Sequence, residues 1–123
     1  MKAIAWVALG GALGAVVRYY FYKFLPKVYE FPLATFTVNM VASFILGFLI
    51  GLFEVRPLAS EVKLALATGF CGALSTFSTF VADDYALLLD MNYFVAALYT
   101  AASLVLGIAL VAAGANLAQR LFK

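Results

Sequence analysis

Apolar residues run along this chain in four long blocks, separated by short clusters of proline and charged residues. The first block extends from about Ala3 to Leu25 and is ended by Pro26 and Lys27. The second, about Leu33 to Phe53, lies between Pro32 and the cluster Glu54, Arg56 and Pro57. The third begins near Val62, and the fourth runs from about Phe94 to Leu117, before Arg120 and Lys123. A membrane-crossing helix needs about 20 mostly apolar residues, and each block supplies that length. The pattern predicts an all-α membrane protein of four transmembrane helices, forming one domain over residues 1–123.

The third block is the irregular one. Residues 69–80 read Gly-Phe-Cys-Gly-Ala-Leu-Ser-Thr-Phe-Ser-Thr-Phe, placing helix-weakening glycines and four hydroxyls inside an apolar run. Lipid penalises unsatisfied polar groups, so such a stretch is tolerated where it is buried in protein or lines a cavity. The stretch predicts a third helix broken in mid-membrane between Gly72 and Ser78, with Gly69 and Gly72 favouring an unwound turn upstream. The far end of this span has two readings. If Asp83 and Asp84 mark the membrane edge, the helix stops near Ala82. If the break lengthens the path, it reaches Leu89, with both aspartates near the water-facing end.

Composition supports lipid as the solvent. The chain is 67% hydrophobic and 11% charged, where a soluble domain is about half apolar and about a quarter charged. A net charge of +2 and the lack of a basic patch exclude nucleic acid as the expected partner. One cysteine, Cys71, and no histidine exclude an internal disulfide and make a transition-metal site an unpromising reading. The opening Met1-Lys2-Ala3 could begin a signal peptide, but the apolar run outlasts an h-region and contains Arg18, so it reads as a retained span. No segment for a soluble domain is left outside the four blocks. Lys2, Arg56, Lys63, Arg120 and Lys123 fall on one side of a four-span chain, against Lys23 and Lys27 on the other. That leans toward both termini inside, by a margin small enough to leave both orientations open.

Gly10 and Gly14 form one Gly-x-x-x-Gly pair, and Gly47 and Gly51 another. Such pairs let helix backbones approach closely in lipid, and packing is their plainest reading. Four short spans give a thin bundle, so a homo-oligomer is expected to shield any polar path.

The polar residues within the spans are the candidates for function. Arg18 lies deep in the first block; an intramembrane arginine is a functional candidate, although snorkelling or pinning a neighbour's carbonyls is the plainer role. Thr35, Asn39 and Ser43 recur at i, i+4 and i+8, making one polar stripe on the second helix. An interhelical hydrogen bond is the plain reading of Asn39 alone; the stripe raises the case for a pore lining. Ser75, Thr76, Ser78 and Thr79 supply hydroxyls around Phe77 and Phe80, whose rings carry a positive edge that suits a small anion. Tyr99, Thr100 and Ser103 form a polar patch on the fourth helix. Neutral donors hold an ion weakly enough for conduction. Carboxylates and histidines are missing from the middle of the spans, which favours passive anion passage over proton-coupled pumping.

Three motifs together carry a family resemblance: Gly11-x-x-Gly14-Ala15-x-x-Arg18-Tyr19, then Thr35-x-x-Val38-Asn39 continuing to Phe44 and Gly47, then Gly69-x-x-Gly72-x-x-Ser75-Thr76-Phe77-Ser78-Thr79-Phe80. The chain resembles the Fluc, or CrcB, fluoride channels over nearly its whole length. The resemblance implies an antiparallel, dual-topology homodimer in the cell membrane, with two pores that passively export fluoride and no enzymatic activity. It implies that Asn39, Phe77, Ser78, Thr79, Phe80, Tyr99 and Ser103 line the fluoride route; Arg18 and Thr35 are expected in structural roles. It also implies a structural Na⁺ at the dimer centre, held by the backbone carbonyls of Gly72 and Ser75 from both subunits. Ser75 stands where the family often has threonine, and Ala34, Ala42 and Ala73 stand where glycine is common. The alternative, a small multidrug-type proton-coupled exporter, needs a carboxylate in the first span, and none lies between Ala3 and Leu25. A purely structural membrane subunit would show no flux at all.

Overall fold

The computed structural model describes residues 1–26, 28 and 30–123; Lys27, expected to end the first span and to count toward the charge asymmetry, lies outside them. Helices α1 (Lys2–Phe24) and α2 (Leu33–Val55) have 23 residues each, about 35 Å of helix against a hydrocarbon core of about 30 Å. The third span is composite: α3 (Ser60–Lys63), a π-helical stretch (Leu64–Cys71), α4 (Gly72–Leu74) and α5 (Phe77–Leu89). It ends at Leu89, the longer of its two expected limits. The fourth, α6 (Tyr93–Phe122), runs five residues beyond the expected Leu117. There Gln119 Nε2 donates to Glu54 Oε2 at the end of α2. All four spans are apolar and long enough to cross a membrane.

Two parallel glycine seams organise the bundle. On the first, α1 packs against residues 60–74. A Cβ added at Gly10 would lie 1.9 Å from the Ala65 carbonyl oxygen, and one at Gly14 2.2 Å from that of Phe70. Glycines four apart on α1 thus meet carbonyls five apart on the third span, a match that π winding provides. Gly69 closes the seam from the other side, 2.6 Å from the Val7 carbonyl oxygen by the same measure. The second seam joins α2 to α6: Gly47 faces Val111 at 2.1 Å, Gly51 faces Ala115 at 2.3 Å, and Gly114 faces Phe44 at 2.3 Å. Van der Waals contact between close backbones is the main attraction left to helices once lipid removes the hydrophobic difference.

Buried clusters tie the seams together. Val38 and Ala42 of α2 pack on Leu74 of α4; the methyl of Ala42, where the resembling family often has glycine, is fully accommodated. Leu87 of α5 packs on Ala96 and Tyr99 of α6. The turn between those helices closes with two reverse bonds, Asn92 N–H to the Leu87 carbonyl at 2.9 Å and Met91 N–H to that of Leu88 at 3.1 Å. Met91 takes the left-handed φ of 56° that this helix ending requires.

The interruption of the third span lies at Ser75 (φ −76°, ψ 157°) and Thr76 (φ −149°, ψ 116°), both extended. Gly69 and Gly72 do not unwind: both are helical, and no glycine among the described residues has a positive φ. Gly69 serves the α1 seam, and the chain opens at the hydroxyl residues that follow.

Candidate functional site

Asn39 of α2 fixes the extended pair. Its Oδ1 accepts from the Thr76 N–H at 2.7 Å, and its Nδ2 donates to the Thr76 carbonyl at 3.1 Å. A side-chain amide carries one acceptor and two N–H donors, so this clamp uses the acceptor and one donor and leaves one N–H. In an uninterrupted α-helix the Thr76 N–H would bond to the Gly72 carbonyl. Its diversion to Asn39 frees that carbonyl, as at any helix C-terminus. Thr76 then caps α5, its Oγ1 accepting from the Thr79 N–H at 3.2 Å and donating to Thr79 Oγ1 at 3.1 Å. Ser75 Oγ donates back to the Cys71 carbonyl at 2.9 Å.

A cavity of about 240 Å³, open along one side, forms at this break. Its polar wall is Asn39, Ser43, Ser75, Thr76 and Ser103; Met40, Leu104, Phe77 and Phe80 supply the apolar wall. None of the described residues that line it is charged. The first N–H groups of α5 lack intrahelical partners and carry the positive end of the helix dipole, which favours an anion nearby. The rings of Phe77 and Phe80 lie 6.0 Å apart at 39°. Phe80 is held edge-to-face against Tyr99, 5.0 Å between centroids, whereas Phe77 is 78% exposed. One ring is therefore fixed and the other extends beyond the chain's own packing.

Among the expected residues, Asn39, Phe77, Phe80, Ser103 and Ser75 share this cavity. Ser78 and Thr79 occupy the first turn of α5 outside its lining. Tyr99 is fully buried behind Phe80. Thr35, also buried, pairs with Tyr22 Oη at 2.7 Å beside a second cavity of about 290 Å³ that Asp83 also lines. Arg18 is half-buried on α1 and does not line the central cavity, and Gly72 is exposed on α4.

Three residues outside the expected set matter here. Thr76 is the clamped residue, and the aspartates face α6 rather than simply marking the water-facing end of the span. Tyr99 Oη donates to Asp83 Oδ2 at 3.1 Å, and Thr100 Oγ1 donates to Asp84 Oδ2. The turn signal Asp90-Met91-Asn92 held the clue. Asp83 and Tyr99 each lie eight residues from Met91, the register at which an antiparallel helix pair brings side chains level.

A thin four-span bundle, with a helix interrupted beside a neutral donor-lined cavity, defines the class: a multi-pass membrane protein built around a small polar site. Comparison with known proteins then narrows it. Residues 5–115 match the family described as CrcB-like protein, Camphor Resistance (CrcB), and the chain belongs to that family. It is 68% identical over 123 residues, all of both chains, to a protein of Ignicoccus hospitalis named fluoride-specific ion channel FluC. Proteins of the same name from Thermococcus kodakarensis and Thermococcus onnurineus are 48% and 46% identical, each match covering 93% of this chain and 94% of the relative.

Proposed function

We propose that this protein is a fluoride-selective channel that lets fluoride leave the cell passively through the cell membrane. The observation that carries the reading is the neutral cavity at the helix break, where the spare Asn39 N–H, the start of α5 and the Phe80 ring converge. These groups offer partial positive charge without a fixed cation, which favours a small dehydrating anion yet lets it leave. The identity with proteins named as fluoride-specific channels supports fluoride as that anion. The Asn39, Phe77, Phe80 and Ser103 side chains meet the ion at the cavity, Ser78 and Thr79 extend the hydroxyl route along α5, and Tyr99 backs Phe80. The protein acts as a channel, and no bond is made or broken in the passage.

The cavity is open on one side and Phe77 extends past its own chain, so a second copy is needed to complete the wall. An antiparallel, dual-topology homodimer does this twice over and places the interruption at mid-bilayer. The residues at the break also fit a structural Na⁺ at the dimer centre. The Gly72 carbonyl is released by the Asn39 clamp, and Ser75 lies beyond the helix end. Two carbonyls from each subunit give the oxygen-only set that a hard cation prefers. Bound there, the ion would hold the two breaks together.

The ring assignment is tested by Phe80→Ile and Phe77→Ile in reconstituted vesicles. The expected result is a loss of fluoride efflux of at least tenfold, with the dimer still intact on size exclusion. Unchanged efflux from both variants would refute the ring-edge role.

A further inference from the structure

We propose that Asp84 accepts a hydrogen bond across the dimer from Thr68 of the partner subunit, so that the two third spans are latched together on both sides of the break. The inference rests on the antiparallel dimer proposed above and assigns a contact to two residues that the ion's route does not use.

Asp84 is left half-paired by its own chain. Thr100 Oγ1 donates to its Oδ2, whereas its Oδ1 is buried with no hydrogen-bond partner. An unpaired buried carboxylate oxygen is costly, and lipid offers no water to relieve it. The carboxyl lines a groove of about 510 Å³ between α5 and α6, together with Leu88, Thr100 and Leu104. Leu104 also lines the central cavity, so the groove and the cavity open on one surface. Helical spacing agrees with this. Phe77, Val81, Asp84 and Leu88 recur at i, i+4, i+7 and i+11, which is one face of α5. The three apolar members are all exposed. A second copy that covers Phe77 therefore continues over Asp84, two turns further along. The torsion that turns a carboxyl is broad, so Oδ1 swings into the groove when a donor is brought there.

Symmetry names the donor. When two third spans pair antiparallel about Thr76, a residue a given number of places after Thr76 stands level with the partner's residue as many places before it. Asp84 lies eight places after Thr76, and Thr68 eight places before. Thr68 is the only hydroxyl residue from Leu64 to Leu74. It is exposed, and one turn on lies the exposed Gly72, whose carbonyl is proposed above to face the dimer centre. An outward hydroxyl and an orphaned acceptor thus fall at the same depth, and the two-fold relation makes the contact twice. The plain alternative is that Thr68 bonds back to a carbonyl of its own helix and Asp84 keeps Thr100 alone.

The test uses the full chain in vesicles. A double variant, Thr68→Cys with Asp84→Cys, is oxidised and run on a non-reducing gel. Most of it is expected as covalent dimer, with each single variant remaining monomeric on the gel. Cys71, the natural cysteine, is buried, and oxidised wild type controls for it. No covalent dimer from the double variant overturns the latch. Asp84→Cys linking to itself would set the two copies parallel and overturn both the latch and the antiparallel dimer. On dilution in detergent, Thr68→Val is expected to raise the concentration at which the dimer dissociates at least threefold, and to change nothing further in an Asp84→Leu background. An equal shift in both backgrounds means that Thr68 acts within its own chain, and the latch falls. Wild type that is dimeric and passes fluoride while the variants fail these tests leaves the channel reading standing. A monomeric wild type removes the dimer and the latch together.

Discussion

The two halves of the third span differ in what holds them. Residues 60–74 lie against α1 chiefly by backbone proximity, glycine to carbonyl, with a π-wound stretch matching the spacing and Val17 and Phe21 packed on the Leu74 cluster. Helix α5 lies against α6 through side-chain chemistry, with two acid–hydroxyl pairs and an edge-to-face ring contact. Between them stand two extended residues whose position depends on one amide from α2. The first half has no freedom to shift without a clash. The second presents side chains in defined places, and it is this half that carries the rings and hydroxyls of the proposed route. A rigid seam therefore anchors a chemically equipped arm, with Asn39 at the joint.

The largest effect is expected at the seam. Gly10→Ala pushes a methyl against the Ala65 carbonyl, and such overpacking costs about 1–3 kcal/mol or more. The expected outcome is loss of monodisperse protein on size exclusion after detergent extraction. Gly11→Ala, one residue on, meets nothing closer than 3.9 Å and is expected to behave as wild type.

The joint comes next. Asn39→Leu leaves both the Thr76 N–H and its carbonyl unpaired, at about 1–3 kcal/mol each. Fluoride efflux should fall at least tenfold, and proteolysis should detect a loosened break. Equal efflux would mean that Thr76 holds itself. The smallest effect belongs to a single bond between the arm and α6. Tyr99→Phe keeps the ring against Phe80 and removes only the bond to Asp83. Polar bonds between membrane helices average about 0.6 kcal/mol, so the denaturation midpoint should drop slightly, with the dimer retained.

Much of this was legible in the sequence. The four apolar blocks predict the spans because a run of that length has few other fates. The Gly-x-x-x-Gly pairs predict close helix contacts, which the two seams contain. The glycines of the third span misled for a physical reason: a glycine marks either an unwound turn or a close approach, and only the neighbouring helix decides which. Gly69 turned out to face Val7. The π winding leaves no compositional trace, because it answers a spacing on another helix. Asn39 was visible as a polar residue in an apolar helix, but its partner, the Thr76 backbone, was not. Asp83 and Asp84 suit either the membrane edge or the water-facing end of a longer helix, because carboxylates seek water. Tyr99 and Thr100 lie opposite them only once the Met91 turn sets the register.

Selective passage of fluoride through the cavity at the break is what every role proposed above depends on. Its most direct test is anion efflux from vesicles holding the purified protein, with fluoride and chloride measured side by side. Rapid fluoride efflux is expected, with chloride at the level of protein-free vesicles. Comparable efflux of the two ions, or none of fluoride, would contradict it.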